Sequence, residues 1–282
     1  MPLRAVLFAT AGLAVFAVGD AIAKLLVQEL PAMQVNWGRF AFMVPFLALA
    51  IHPRRWPALA RSAAPGLQVL RAVMPLLSSL FLILGIATVP LADATAILFT
   101  SPFFVLVLSI LFLGERVGVR RWASVVVGFF GMLVILQPGA GGGVLGGWLV
   151  VVSAATFAVF HIVTRIIAGR DTPLQMLVWT AVLAAVAASA VMPFVWIAPS
   201  ASQWVLLVAS GTISTIGHGC YAMAFARAQA SAIAPLIYTQ LVWATLLGFL
   251  VFGDLPGAST VVGAAIIVGA GLFIIWRENV RR

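Results

Sequence analysis

The sequence predicts an all-α integral membrane protein, a bundle of ten transmembrane helices built from two inverted five-helix repeats. Three observations lead there. Of the 282 residues, 63% are apolar and only 8% charged, and mean hydropathy is +1.17, whereas a soluble domain carries roughly 25% charged residues. Most of the surface therefore faces lipid. Apolar runs long enough to cross a bilayer, which takes about 20 residues each, recur along the whole chain. The second half then repeats features of the first in the same order.

Breaks at Pro, Gly or charge delimit the runs at 4–27, 32–51, 66–88, 91–112, 119–136, 144–168, 173–196, 201–225, 230–252 and 257–276. Only short connections remain, so no separate soluble domain is expected. A net charge of +9 would suggest nucleic acid in a soluble protein, but the arginines sit at the ends of apolar runs instead of in one patch. With the N-terminus cytoplasmic, Arg54, Arg55, Arg61, Arg116, Arg120, Arg121, Arg170 and Arg227 share one set of loops. Arg4, Arg277, Arg281 and Arg282 lie on the tails, and the opposite loops hold no Lys or Arg. This is the positive-inside pattern; it predicts a multi-pass protein of the cell inner (plasma) membrane with both termini cytoplasmic. The stretch from Met1 to Gln28 ends in no small-residue cleavage site and reads as the first helix. Cys220 is the single cysteine, which excludes an internal disulfide.

The repeat is carried by named residues. The segment Phe16 to Lys24 is similar to Phe157 to Arg165, each opening with Phe-Ala-Val. Pro31 and Trp37 match Pro173 and Trp179, Thr100 matches Thr239, and Gly114-Glu115 matches Gly253-Asp254. Five is odd, so the second copy enters the membrane from the opposite side. The expected units are residues 1–138 and 139–282. Inverted repeats are typical of secondary transporters, whose solute site lies near the midplane between the copies.

The stretch Pro90-Leu-Ala-Asp-Ala-Thr-Ala-Ile-Leu-Phe-Thr-Ser-Pro102, running on to Leu113-Gly-Glu-Arg116, resembles the EamA repeat of the drug/metabolite transporter superfamily. Tyr221-Ala-Met-Ala-Phe-Ala-Arg-Ala-Gln229, with Ala234-Pro-Leu236 and Phe252-Gly-Asp254, looks like its second copy. The resemblance covers nearly the whole chain and implies a ten-helix carrier of small solutes with a central pathway. The second copy departs from the pattern in having Asp254 where Glu is usual and Gln240 in place of the first copy's Ser-Pro.

An ionisable group inside a span costs roughly 2.5–3.5 kcal/mol on insertion scales, so each needs a reason. Asp20 and Lys24 are four apart on one helix face, either a self-neutralising pair or a substrate- or proton-handling one. His161 and Arg165 are their counterparts; Arg165 is placed near the inner end, where it snorkels, and His161 deeper. Arg39 and Asp93 fall in the outer half and are read as a gate or ion pair, with Asp93 capping its own helix as the competing reading. Arg71 is expected at the cytoplasmic interface. The repeat alignment pairs Ser79 with His218, Leu82 with Tyr221, Phe99 with Tyr238 and Ser101 with Gln240 as two walls of one cavity, to which Phe16, Phe157 and Trp243 add aromatic surface. About half of these polar groups are expected only to tie helices together. Trp37 and Trp179 are assigned to an interfacial belt or to packing. Pro75, Pro102 and Pro235 are expected to interrupt their helices, and Gly128, Gly131, Gly263 and Gly269 to be close-packing points.

No phosphate-binding loop, metalloprotease helix, hydrolase elbow or acidic metal cluster occurs. The chain is therefore not expected to be an enzyme, to hold a metal or cofactor, or to bind nucleic acid. Its partners should be a small-molecule solute and membrane lipid, the chain itself being a monomer or weak dimer. The aromatic, mildly polar cavity list favours a small amphipathic solute, with amino acids first, aromatic ones favoured, moving outward. Within the family this is similar to the bacterial aromatic amino acid exporters. A passive pore, or a carrier of nucleosides or sugars, is the alternative.

Overall fold

A computed structural model describes residues 3–114, 119–137, 144–225, 236 and 238–280, without the side chains of Arg120, Arg121, Val144, Tyr221, Ala222, Phe225 and 274–280. The named elements among the described residues are helices joined by short turns and loops: α1 Leu3–Leu26, α2 Ala32–Ala41, α3 Met43–Ala50, α4 Trp56–Leu59, α5 Pro65–Ile86, α6 Leu91–Leu98, α7 Ser101–Leu113, α8 Val119–Leu136, α9 Val144–Ile167, α10 Pro173–Val195, α11 Ala201–Phe225, α12 Thr239–Phe252 and α13 Ala258–Val280. Among the described residues, five helical segments are long and apolar enough to cross a membrane. A sixth is counted when Ala32–Ala50 and the sharply bent Pro53–Leu59 form one span. Large apolar side chains point outward, Leu49 and Phe194 each 85% exposed, as a lipid-facing surface requires.

Three prolines were expected to interrupt helices, and they behave differently. Pro102 follows the break at Phe99 and Thr100 between α6 and α7, because it offers no N–H to the preceding turn. Pro75 does not interrupt its helix: α5 runs through it from Pro65 to Ile86. A single missing donor, at the carbonyl of Arg71, is tolerated where neighbouring helices hold both sides of the bend. Pro235 lies outside the described residues.

The helices meet along seams of small residues. α5 packs along α9, where Ser78 Oγ donates to Ser153 O (3.0 Å) and Ser153 Oγ donates to Ser78 O (2.7 Å). Two turns further along, an added Cβ on Gly85 would run into Val150 and lie 2.9 Å from Gly146 O. Arg71, Ser78 and Gly85 are spaced by seven and so share the α5 face turned to α9. α1 packs along α11 with Phe16 against Gly217, and α8 along α13 with Gly131 and Gly263 backbone to backbone. Gly128 meets Phe103, as a close-packing role requires, but a Cβ added at Gly269 would meet nothing within 4 Å, so this glycine plays no such part.

At the end of the bundle where α9 terminates, Asp171 joins two loops. It accepts hydrogen bonds from Ser62 Oγ, Ala63 N (2.9 Å) and Gln68 Nε2 (2.7 Å). Gln175 Nε2 donates to the Ala58 and Arg61 carbonyls, and Trp179 Nε1 to Leu59 O. Burial pushes the Asp171 carboxyl up, but the three hydrogen bonds outweigh it and hold the group below the usual carboxylate range. A depressed folded-state pKa contributes stability above the unfolded value, lost as pH falls through the folded one.

Two outcomes follow from these contacts. Gly85→Ala should cost about 1–3 kcal/mol through overpacking, read as a lower thermal unfolding temperature in detergent, while Gly66→Ala, with open space around it, should not. Asp171→Ala should cost about 2 kcal/mol at neutral pH. That difference should shrink progressively as pH falls below the ordinary carboxylate value near about 4 and on through the lower folded-state value; a difference unchanged across that range means the charge contributes nothing.

Candidate functional site

Among the described residues, two pairs of opposite charge form from the spans, but not as their spacing suggests. Asp20 and Lys24 do not bond to each other. Both are buried, and each reaches to another part of the chain. Asp20 Oδ1 accepts from Arg39 Nη2 at 2.9 Å, and Arg39 also donates to Gly19 O and to Ser79 Oγ (3.2 Å). Lys24 Nζ bonds to Asp254 Oδ2 at 2.7 Å and to Val89 O, and lies over the Phe252 ring. An i,i+4 pair on one helix is worth only about 0.2–0.5 kcal/mol. A partner on another helix satisfies the charge and fixes the packing together, so the longer-range pairs prevail.

Arg39 and Asp93 accordingly form no ion pair. Asp93 does not cap α6 either: Pro90 is the N-cap residue and no side-chain cap bond is made there. Asp93 Oδ1 instead accepts from Thr260 Oγ1 at 2.7 Å, with Lys24 and Asp254 in electrostatic range. Lys24, Asp93, Asp254 and Thr260 thus form one polar cluster at the end of the bundle where α1 terminates.

Arg71 departs most from expectation. It is not at an aqueous interface but 7% exposed, with Nε donating to Thr164 Oγ1 (2.8 Å) and Nη1 to Met176 O and Thr180 Oγ1 (both 2.7 Å). Its guanidinium lies 4.7 Å from the Phe160 ring centre. The seven-residue spacing to Ser78 and Gly85 is the signal that places it on the packed face. Lys24's partner Asp254 and the loop residue Asp171 were likewise missed, since neither has a partner near in sequence.

The two histidines of the candidate list occupy similar surroundings. His218 on α11 meets Phe16 edge-on at 5.1 Å, and His161 on α9 meets Phe157 edge-on at 4.6 Å. Both are exposed by area yet surrounded by protein, and both feel the charge of Arg71, His218 that of Arg39 as well. Phe99 and Tyr238 come together edge-on at 5.2 Å, with the Tyr238 hydroxyl against the bare backbone of Gly271. Ser101 Oγ is buried without a partner. Ser79 is committed to Arg39, Gln240 is partly buried, and Trp243 is 36% exposed. The Tyr221 side chain, Glu115, Arg116 and Arg227 lie outside the described residues. Trp37 packs among Phe42, Trp196 and Trp204 and donates to Ser189 Oγ, a packing role.

The model of the EamA-like transporter family matches residues 3–137 and again residues 144–276. A riboflavin transporter of Rhizobium johnstonii is 32% identical over 244 residues, 86% of this chain and 79% of its own. An S-adenosylmethionine uptake transporter of Rickettsia felis is 29% identical over 92% of this chain and 88% of its own. The pseudopaline exporter CntI of Pseudomonas aeruginosa is 30% identical over 90% of each chain. A solved crystal structure covers 99% of both chains with a TM-score of 0.65 and 20% identity, which shows the shared fold. Buried charges, small-residue seams and two successive family matches give a multi-span membrane protein that is a transporter and not an enzyme: the chain belongs to the EamA-like transporter family.

Proposed function

We propose that this protein is a secondary carrier for a small amphipathic metabolite, working by alternating access to a space between two inverted five-helix halves, residues 1–138 and 139–282. The observation that carries the reading is that Arg71 lies in electrostatic range of both His161 and His218, and Arg39 of His218, on four helices drawn from both halves, with Phe16 edge-on to His218 and Phe157 edge-on to His161.

Matched features of the halves support it. α1 against α11 has its counterpart in α5 against α9, while α8 meets its own counterpart α13, and α2 meets α10. Thr100 Oγ1 donates to Ile97 O and Thr239 Oγ1 to Leu236 O, both at 2.7 Å, just where α7 and α12 begin. Gly114 and Gly253 end those helices with φ of 65° and 72°, a left-handed conformation that glycine adopts without steric cost. Exposed Arg54, Arg55 and Arg170 cluster at the Asp171 end, which supports an inner-membrane protein with that end and both termini cytoplasmic.

Aromatic amino acids moving outward are the first solutes to test, because rings stand beside hydrogen-bonding groups. Relatives named for S-adenosylmethionine and riboflavin support solutes that join a planar ring to a polar part, whichever direction they move. Nucleosides belong to the same search.

Counterflow of labelled tryptophan in proteoliposomes separates a carrier from a pore, since only a carrier is driven by solute on the far side. Saturable counterflow is expected, falling about tenfold or more in His161→Ala and His218→Ala, a change of about 1.4 kcal/mol. Conductance without counterflow removes the carrier reading. At the other end, Lys24→Asp should slow flux by leaving three carboxylates together, and adding Asp254→Lys should restore it; a double variant no better than the single one removes the pair from the cycle.

A further inference from the structure

Resting on the carrier reading, we infer that Arg71 is the seat for a carboxylate of the transported solute. Its partners Thr164, Thr180, the Met176 carbonyl and the Phe160 ring are all neutral, and among the described residues no acidic side chain pairs with it. Arg39, by contrast, is matched by Asp20. The protein thus holds one guanidinium fixed on three sides with its charge unmatched.

The fork is also incomplete. Nε and Nη1 are both engaged, while among the described residues Nη2 donates to nothing and it is not sealed from solvent. An amino group with two free N–H bonds suits a carboxylate oxygen, and a charged acceptor makes the stronger bond. Phe160, stacked with Phe157 at 5.7 Å, and His161 continue from Arg71 along α9. A solute with its carboxylate on Arg71 therefore has an aromatic row against which to lay its ring. One free cation suits a monoanion; a phosphate dianion or polyphosphate would call for a second one, and Arg39 is already taken.

The test compares solutes that differ only in this group. Competition against labelled tryptophan flux is measured for tryptophan and tryptophanamide, on wild type and on Arg71→Gln, with labelled riboflavin, which has no carboxylate, as a second transported probe. Wild type should prefer the acid at least tenfold, and Arg71→Gln should erase that preference while competition by the amide stays within about twofold. A residue that merely braces α5 against α9 and α10 would weaken acid and amide alike, and that result overturns the assignment. The wild-type comparison stands alone should Arg71→Gln fail to fold: equal competition by acid and amide, or saturable riboflavin flux that no carboxylate inhibits, overturns the seat and leaves the carrier intact. No counterflow of either probe removes both.

Discussion

Lipid does not solvate charge, and this constraint organises the molecule. An ionisable side chain in a span costs roughly 2.5–3.5 kcal/mol on insertion scales, so it persists only where other helices satisfy it. Asp20 with Arg39 on the next helix, and Lys24 with Asp254 some 230 residues on, do this between different elements. Each pair therefore specifies which helices lie together as well as cancelling charge. Arg71 is the exception, solvated by hydroxyls, a carbonyl and a ring, with no matching carboxylate among the described residues.

Packing elsewhere depends on small residues. Without a hydrophobic force between helices inside lipid, close backbone approach and a few interhelical hydrogen bonds hold a bundle together. The Ser78–Ser153 exchange and the Gly131–Gly263 approach are such contacts. Polar ties are concentrated at the two ends, around Asp171 at one and around Lys24 and Asp254 at the other. On the proposed two-half reading, separate polar clusters at the two ends let one end loosen while the other stays closed.

The sequence made the helices, their approximate limits and the family legible, because apolar runs and Pro or Gly breaks are local signals. Thr100 and Thr239, set against each other from the sequence, each make the same bond at the start of a helix. Pairing was not legible. Spacing suggested Asp20 with Lys24, whereas the actual partners lie 19 and 230 residues away. Arg71 was misplaced for a related reason: nearness to the start of its helix suggested snorkelling, and only the 71, 78, 85 spacing points to the α9 face. A charge near a helix end is read correctly only with knowledge of what the neighbouring helix presents.

The most direct measurement of alternating access is a pair of spin-label distances, across the Lys24 end between positions 28 and 255 and across the Asp171 end between positions 55 and 170, with Cys220 replaced by serine. All four native side chains are exposed, so the labels need not disturb packing. On adding transported solute, one distance should shorten as the other lengthens. Both distances staying fixed while solute crosses the membrane would contradict a carrier of this kind.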